Sequence, residues 1–204
     1  MRIEKFVFGP VGTNCYIVIN EMTSECFAVD MADCPQEFVK HIKDAGLCVK
    51  ALLLTHGHFD HIGAIDELVE KYNCPIYIHQ DDYEMIYNDQ LNLSNYYGEL
   101  KIKSKATAVD KDIDVGDFHF EFLHLPGHTI GSCFIILKNY HVIFSGDVLF
   151  KNGIGRFDFP TSSSKDKRNS IKKIKEIKDD YEIYPGHGEL TTLIQEKLNN
   201  PYLQ

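Results

Sequence analysis

Three imidazoles and a carboxylate fall within six positions in the stretch Thr55-His56-Gly57-His58-Phe59-Asp60-His61. Imidazole nitrogen and carboxylate oxygen are the donors that zinc accepts. His56 and His58 are two apart and point the same way in extended backbone, whereas Asp60 and His61 enter a helix and point elsewhere. One turn can therefore serve two neighbouring metal positions. Three more donors lie downstream, each just past a strand-like run and beside a glycine. They are His128 in Pro126-Gly127-His128-Thr129, Asp147 in Ser145-Gly146-Asp147, and His187 in Pro185-Gly186-His187-Gly188. Open α/β sheets gather ligands at one edge, beyond the strand ends, and glycine lets the backbone turn sharply there. All these donors are expected to meet at that edge.

The elements that must carry them are legible in the hydrophobic periodicity. Short strands are expected at 3–8, 14–19 and 26–30, divided by Gly9-Pro10, Gly12 and a polar stretch. Pro35 opens a helix with Phe38, Ile42 and Ala45 on one face, ended by Gly46. A buried strand at 49–54, a helix at 62–72 and a strand at 75–78 follow. Residues 88–104 are polar with a paired aromatic, Tyr96-Tyr97, and read either as a lid-like loop or as an irregular insertion. Strands return at 105–109, 119–125, 132–137 and 141–144. A basic helix at 165–178, capped from the serine-rich 161–164, leads to a strand at 181–184 and a last helix at 190–199. No repeat or shift in composition divides the chain, so residues 1–204 are expected to form one domain. Two sets of strands, each followed by helices, predict an α/β protein built as a four-layer αββα sandwich.

Composition narrows the function. In 204 residues, 44% are hydrophobic and 25% charged, which excludes a disordered chain or a coiled coil. Thirty acidic against 21 basic residues leave a net charge of −9, which repels phosphate backbones, so no nucleic-acid partner is expected. Apolar runs such as Cys133-Phe134-Ile135-Ile136-Leu137 are far shorter than the roughly 20 residues that span a bilayer, so no membrane segment is expected. No export signal is read at the N-terminus. Six cysteines without a C-x-x-C pair read as buried thiols in a reducing cytoplasm.

The H-x-H-x-D-H box with its ordered His, Asp and His partners resembles the metallo-β-lactamase superfamily, in particular its glyoxalase II-like hydrolases. The likeness covers nearly the whole chain and includes Thr13-Asn14-Cys15-Tyr16, the 126–132 segment and Gly153-Ile154-Gly155-Arg156. It implies the αββα fold with two divalent metal ions, zinc foremost and iron or manganese as alternatives. The first ion would be held by His56, His58 and His128, and the second by Asp60, His61 and His187. Asp147 would bridge them, and His58, Asp60 and Asp147 would be the catalytic members of the set. Among relatives, the chain is similar to the short bacterial hydroxyacylglutathione hydrolases. These lack the C-terminal helical domain whose basic residues hold glutathione in eukaryotic-type glyoxalase II, so the identity of the thiol stays open.

Two adjacent dications lower the pKa of a shared water to give hydroxide, and one polarises a substrate carbonyl. A thioester suits such a centre, because a thiolate with a parent pKa of about 8.5 leaves without a general acid. The expected substrate is a small acyl thioester. The alternatives are a mononuclear iron dioxygenase acting on a persulfide, and a lactonase or related ester hydrolase. Imidazole at His58, where di-iron oxygen reductases of the superfamily carry a carboxylate, ranks hydrolysis above dioxygen reduction. Arg156 either clamps a substrate carboxylate or pairs with Asp158. Tyr96 either lines the pocket or anchors its loop, and Thr129 is a further candidate for contact with substrate. Asp30 either orients a ligand imidazole or closes a turn. His41, His79, His119, His124 and His141 are assigned to packing or solvent, without partners.

Overall fold

The computed structural model describes residues 1–98 and 100–204, with two six-stranded sheets. The first runs in chain order through β1 (Arg2–Phe8), β2 (Thr13–Ile19), β3 (Glu25–Val29), β4 (Cys48–Leu54), β5 (Ile76–His79) and β6 (Thr107–Val109). It is antiparallel up to β3 and parallel from there on. The second holds β7 (Ile113–Val115), β8 (Phe118–His124), β9 (Cys133–Leu137), β10 (Val142–Gly146), β11 (Glu182–Pro185) and β12 (Thr191–Thr192), ordered from β12 to β7. Its one parallel pair is β10 with β11. Parallel neighbours need a crossover, which α1 (Gln36–Asp44) supplies between β3 and β4 and α4 (Ser164–Glu176) between β10 and β11. Three further helices are α2 (Phe59–Ile62), α3 (Ile65–Tyr72) and α5 (Leu193–Asn199).

The strand alternation sorts the apolar side chains into three layers. On β2, Cys15, Ile17 and Ile19 face Phe38 and Ile42 of α1 and Ile65 and Leu68 of α3, while Tyr16 and Val18 face the other sheet. On β4, Leu52 and Leu54 go to the helices and Ala51 and Leu53 to the middle. On β9, Cys133, Ile135 and Leu137 meet them in the middle, and Phe134 and Ile136 pack with Ile174 of α4 and Leu193 of α5. Strands buried on both faces are why these runs read as nearly continuous hydrophobic segments. The result is the four-layer αββα sandwich expected.

Several boundaries differ from expectation for physical reasons. The helix expected at 62–72 begins only at Ile65 as α3, because Ala64 N–H bonds to Met31 O at 2.9 Å rather than back along the chain, and beside it Gly63 lies so close to the Ala32 carbonyl that a Cβ would strike it. Strand β7 was not anticipated. It forms a hairpin with β8 through Gly116-Asp117, with Val115 opposite Phe118. The last helix starts only at Leu193, since Thr191 and Thr192 pair with β11 and Thr192 caps the helix. Within 88–104, Asn92, Leu93 and Ser94 are buried and Asn92 O accepts Phe59 N–H at 2.8 Å, while Tyr96 and Tyr97 are exposed. Glu99, within that stretch, lies outside the described residues. Five of the six cysteines are buried as expected, whereas Cys48 is exposed at the start of β4.

Candidate metal centre

Four strand ends deliver the seven donors to one edge. β4 runs into His56, His58, Asp60 and His61, β8 into the turn bearing His128, β10 into Asp147, and β11 into His187. The two sheets are tied together there: Asn14 N–H bonds to Gly186 O at 2.7 Å, and the Tyr16 hydroxyl to Pro185 O at 2.6 Å. Two glycines make the approach possible. A Cβ on Gly186 would strike Asp147 Oδ1 and His61 Cε1, and Gly127, at φ 146°, lies against the Lys167 backbone.

The donors form two triads with a carboxylate between them. His56, His58 and His128 converge, with His58 Nδ1 2.9 Å from His128 Nε2. Asp60, His61 and His187 form the second group, Asp60 Oδ2 lying 3.4 Å from His61 Nε2 and 3.2 Å from His187 Nε2. Asp147 Oδ2 is 3.6 Å from both His128 and His187, and its Oδ1 is 3.4 Å from His61. His56 Nε2, His61 Nε2 and Asp147 Oδ1 are buried without a hydrogen-bond partner. Buried polar atoms are rarely left so. Donors that converge while several of their buried polar atoms stay unpartnered fit metal ligation.

The surroundings prepare these side chains for that role. Asp30, in the left-handed region at φ 52°, accepts Thr55 N–H at 2.8 Å and the Thr55 hydroxyl at 2.6 Å, and its Oδ2 lies 3.0 Å from His61 Nδ1. Arg156 O lies 2.8 Å from His128 Nδ1, and the Thr13 hydroxyl donates to Asp60 Oδ2 at 2.9 Å. Such contacts fix which imidazole nitrogen faces a metal. Burial, with His61, His128 and His58 close by, drives His56 well below the usual imidazole range. Burial and then His128 bring His58 down to about 3, and burial also lowers His128. Metal binding requires such neutral imidazoles. Burial opposes charge on His61, Asp60 and Asp147 as well. There the opposite charges prevail, holding His61 above its ordinary value and both carboxyls below theirs.

A cavity of about 710 Å³ opens beside the donors. Tyr96 and Arg156 line it, Tyr96 being 75% exposed. The Arg156 guanidinium is bonded through both Nε and Nη2 to Asp158, at 2.9 and 2.8 Å, so the expected surface pair is present. Thr129 is corrected: it is fully buried outside the cavity lining, its hydroxyl held by Asp82 at 2.6 Å and Ser132 at 2.7 Å.

Asp82 itself escaped the sequence. Wholly buried, it accepts Gly57 N–H (2.9 Å), Gly131 N–H (2.7 Å) and the Thr129 hydroxyl, joining the H-x-H-x-D-H turn to the turn that carries His128. Its partners lie at least 25 residues away in sequence, so no local pattern reveals it. The five remaining histidines are also less isolated than expected. His41 contacts Glu4 at 2.6 Å, His119 contacts Asp114 at 2.7 Å, His141 Nδ1 lies 3.1 Å from Asp180 O, and His79 stacks on His124 with ring centroids 4.0 Å apart.

The sequence profile of the metallo-beta-lactamase superfamily matches residues 9–187. The hydroxyacylglutathione hydrolase GloC of Haemophilus influenzae is 32% identical, over 100% of this chain and 98% of its own. Among solved structures, the BLEG-1 B3 metallo-beta-lactamase superposes with a TM-score of 0.90 at 32% identity, covering 100% of both chains. The protein TTHA1623, in a di-iron-bound form, superposes at 0.87 with 31% identity, covering 98% of this chain and 100% of that one.

Proposed function

The chain belongs to the metallo-beta-lactamase superfamily, and from this premise we propose that it is a binuclear metallohydrolase that cleaves small acyl thioesters in the cytoplasm. The observation that carries the reading is the placement of Asp147 between two complete donor triads. His56, His58 and His128 would hold one ion, Asp60, His61 and His187 the other, and Asp147 would reach both. Divalent ions bound there make water a nucleophile at neutral pH and polarise a carbonyl, zinc being suited to the nitrogen-rich donor set.

The chain's own groups prepare the rest. Asp30 and Arg156 O hold His61 and His128 in position. Two carboxylates against two dications leave net positive charge where negative charge develops on the substrate oxygen. Among the described residues lining the cavity, the carboxyl groups are Asp60 and Asp147, both in the donor set. A thioester needs no acid to protonate its leaving group, a thiolate of parent pKa about 8.5, so this lining suffices for it. The GloC relative, named as a hydroxyacylglutathione hydrolase, favours the same class.

Metal analysis coupled to a thiol-release assay on a panel of acyl thioesters tests the proposal. Turnover that disappears with chelation and returns with metal supports it, and no turnover of any thioester refutes it. The di-iron-bound form of TTHA1623 favours iron as the alternative to zinc in the same site, which elemental analysis would reveal.

A further inference from the structure

The cavity falls within the ~300–1,000 Å³ of sites for drug-sized ligands, and its wall beyond the donors is apolar. Val11, Leu93, Tyr96, Phe150 and Phe159 line it together with a stacked pair, Tyr97 on Phe59, whose ring centroids are 4.5 Å apart. Phe159 joins this wall to the first triad, its ring 5.3 Å from that of His58 and 5.8 Å from that of His128. At the mouth Val11 is 41% and Tyr97 62% exposed, and apolar groups grouped at a cleft mark a place where apolar ligands bind.

Charge is scarce there. Among the described lining residues, Arg156 is the one charged side chain outside the donor set, and Asp158 closes its fork. Near His187, Lys5 bonds to Gly188 O and Lys151 pairs with Glu189. A glutathione thioester brings two carboxylates, an ammonium and two amides, more polar groups than Arg156 and the tyrosine hydroxyls of this wall can satisfy, and each one left over loses water at a cost.

Building on the thioesterase reading above, we infer that the site selects acyl thioesters with an aromatic or apolar acyl group on an uncharged thiol, and discriminates against glutathione thioesters. In the reaction the water oxygen bonds to the acyl carbon and the C–S bond breaks. The sulfur leaves with that electron pair and takes one proton of the water, and the other proton passes to solvent as the acid ionises.

The test compares kcat/KM of the metal-loaded protein for S-phenylacetyl-N-acetylcysteamine, S-acetyl-N-acetylcysteamine and S-lactoylglutathione. The phenylacetyl substrate is expected to exceed each of the others by about tenfold or more. Tyr96→Ala narrows the phenylacetyl-to-acetyl ratio by about threefold or more, and Tyr96→Phe restores it. Independently of turnover, calorimetry is expected to show phenylacetate binding at least about tenfold tighter than lactate. Similar rates on all three substrates, a preference for the glutathione thioester, or equal binding of the two acids overturns the inference while leaving the thioesterase reading intact. Hydrolysis of none of them overturns both.

Discussion

Replacing Asp82 with alanine removes three hydrogen bonds at once, from Gly57 N–H, Gly131 N–H and the Thr129 hydroxyl. Bonds to a buried carboxylate are worth about 2 kcal/mol each, or roughly 6 kcal/mol together. Part of this is returned, because the carboxyl is itself costly to bury. Burial pushes its pKa up to about 6 even against those same bonds, so only part of their worth survives as net stability. Counting the three donors left unpaired at about 1 kcal/mol each, the expected loss is about 3 kcal/mol, which for a chain of this length lowers Tm by roughly 6–12 °C. The loss falls on the two turns that present His56, His58 and His128, so metal affinity is expected to drop by about 10- to 100-fold. Thermal melts at pH 7.5 and chelator competition measure the two effects. Asp82→Asn, which keeps an acceptor, should lie between alanine and wild type. If Asp82→Ala melts within 1 °C or so of wild type, at roughly unchanged metal affinity, the carboxylate is not the tie described here.

Gly186→Ala drives a methyl into Asp147 and His61 and is expected to abolish metal retention while secondary structure, read by circular dichroism, persists. Asp30→Asn, altering the partner of His61 Nδ1, should weaken binding at the second ion about tenfold or more while the first ion stays, which stepwise metal titration resolves. His79, whose pKa burial and the neighbouring His124 bring down to about 4, contributes stability that is present above about pH 6.5 and is lost as pH falls through 4. The unfolded chain takes up that proton first. His79→Phe should therefore shrink the loss of urea stability between pH 7.5 and 4.5 by about 2 kcal/mol, and an unchanged acid profile would count against this role.

The sequence shows most clearly what repeats at short range. β2, β4 and β9 read as strands because alternate residues serve two different cores. The donors stand out because four crowd into one turn after β4 and the other three each follow a strand beside a glycine. Interactions set by distant closure are silent in it. Asp82 bonds across 25 and 49 positions, and the stack of His79 on His124 joins the ends of β5 and β8. The boundary before α3 follows from the bond of Ala64 N–H to Met31 O, a neighbour that appears only once the sheet is formed. One miss was recoverable: Gly116-Asp117 between Val115 and Phe118 is a two-residue hairpin signal that marks β7.

The most direct test of the central claim is metal stoichiometry at saturation, by elemental analysis of protein stripped with chelator and reloaded with zinc. Two ions per chain are expected for the wild type, with His128→Ala and His187→Ala each weakening a different one. A wild type that saturates at one ion, or a His187→Ala variant that binds two as tightly as before, would contradict the paired site.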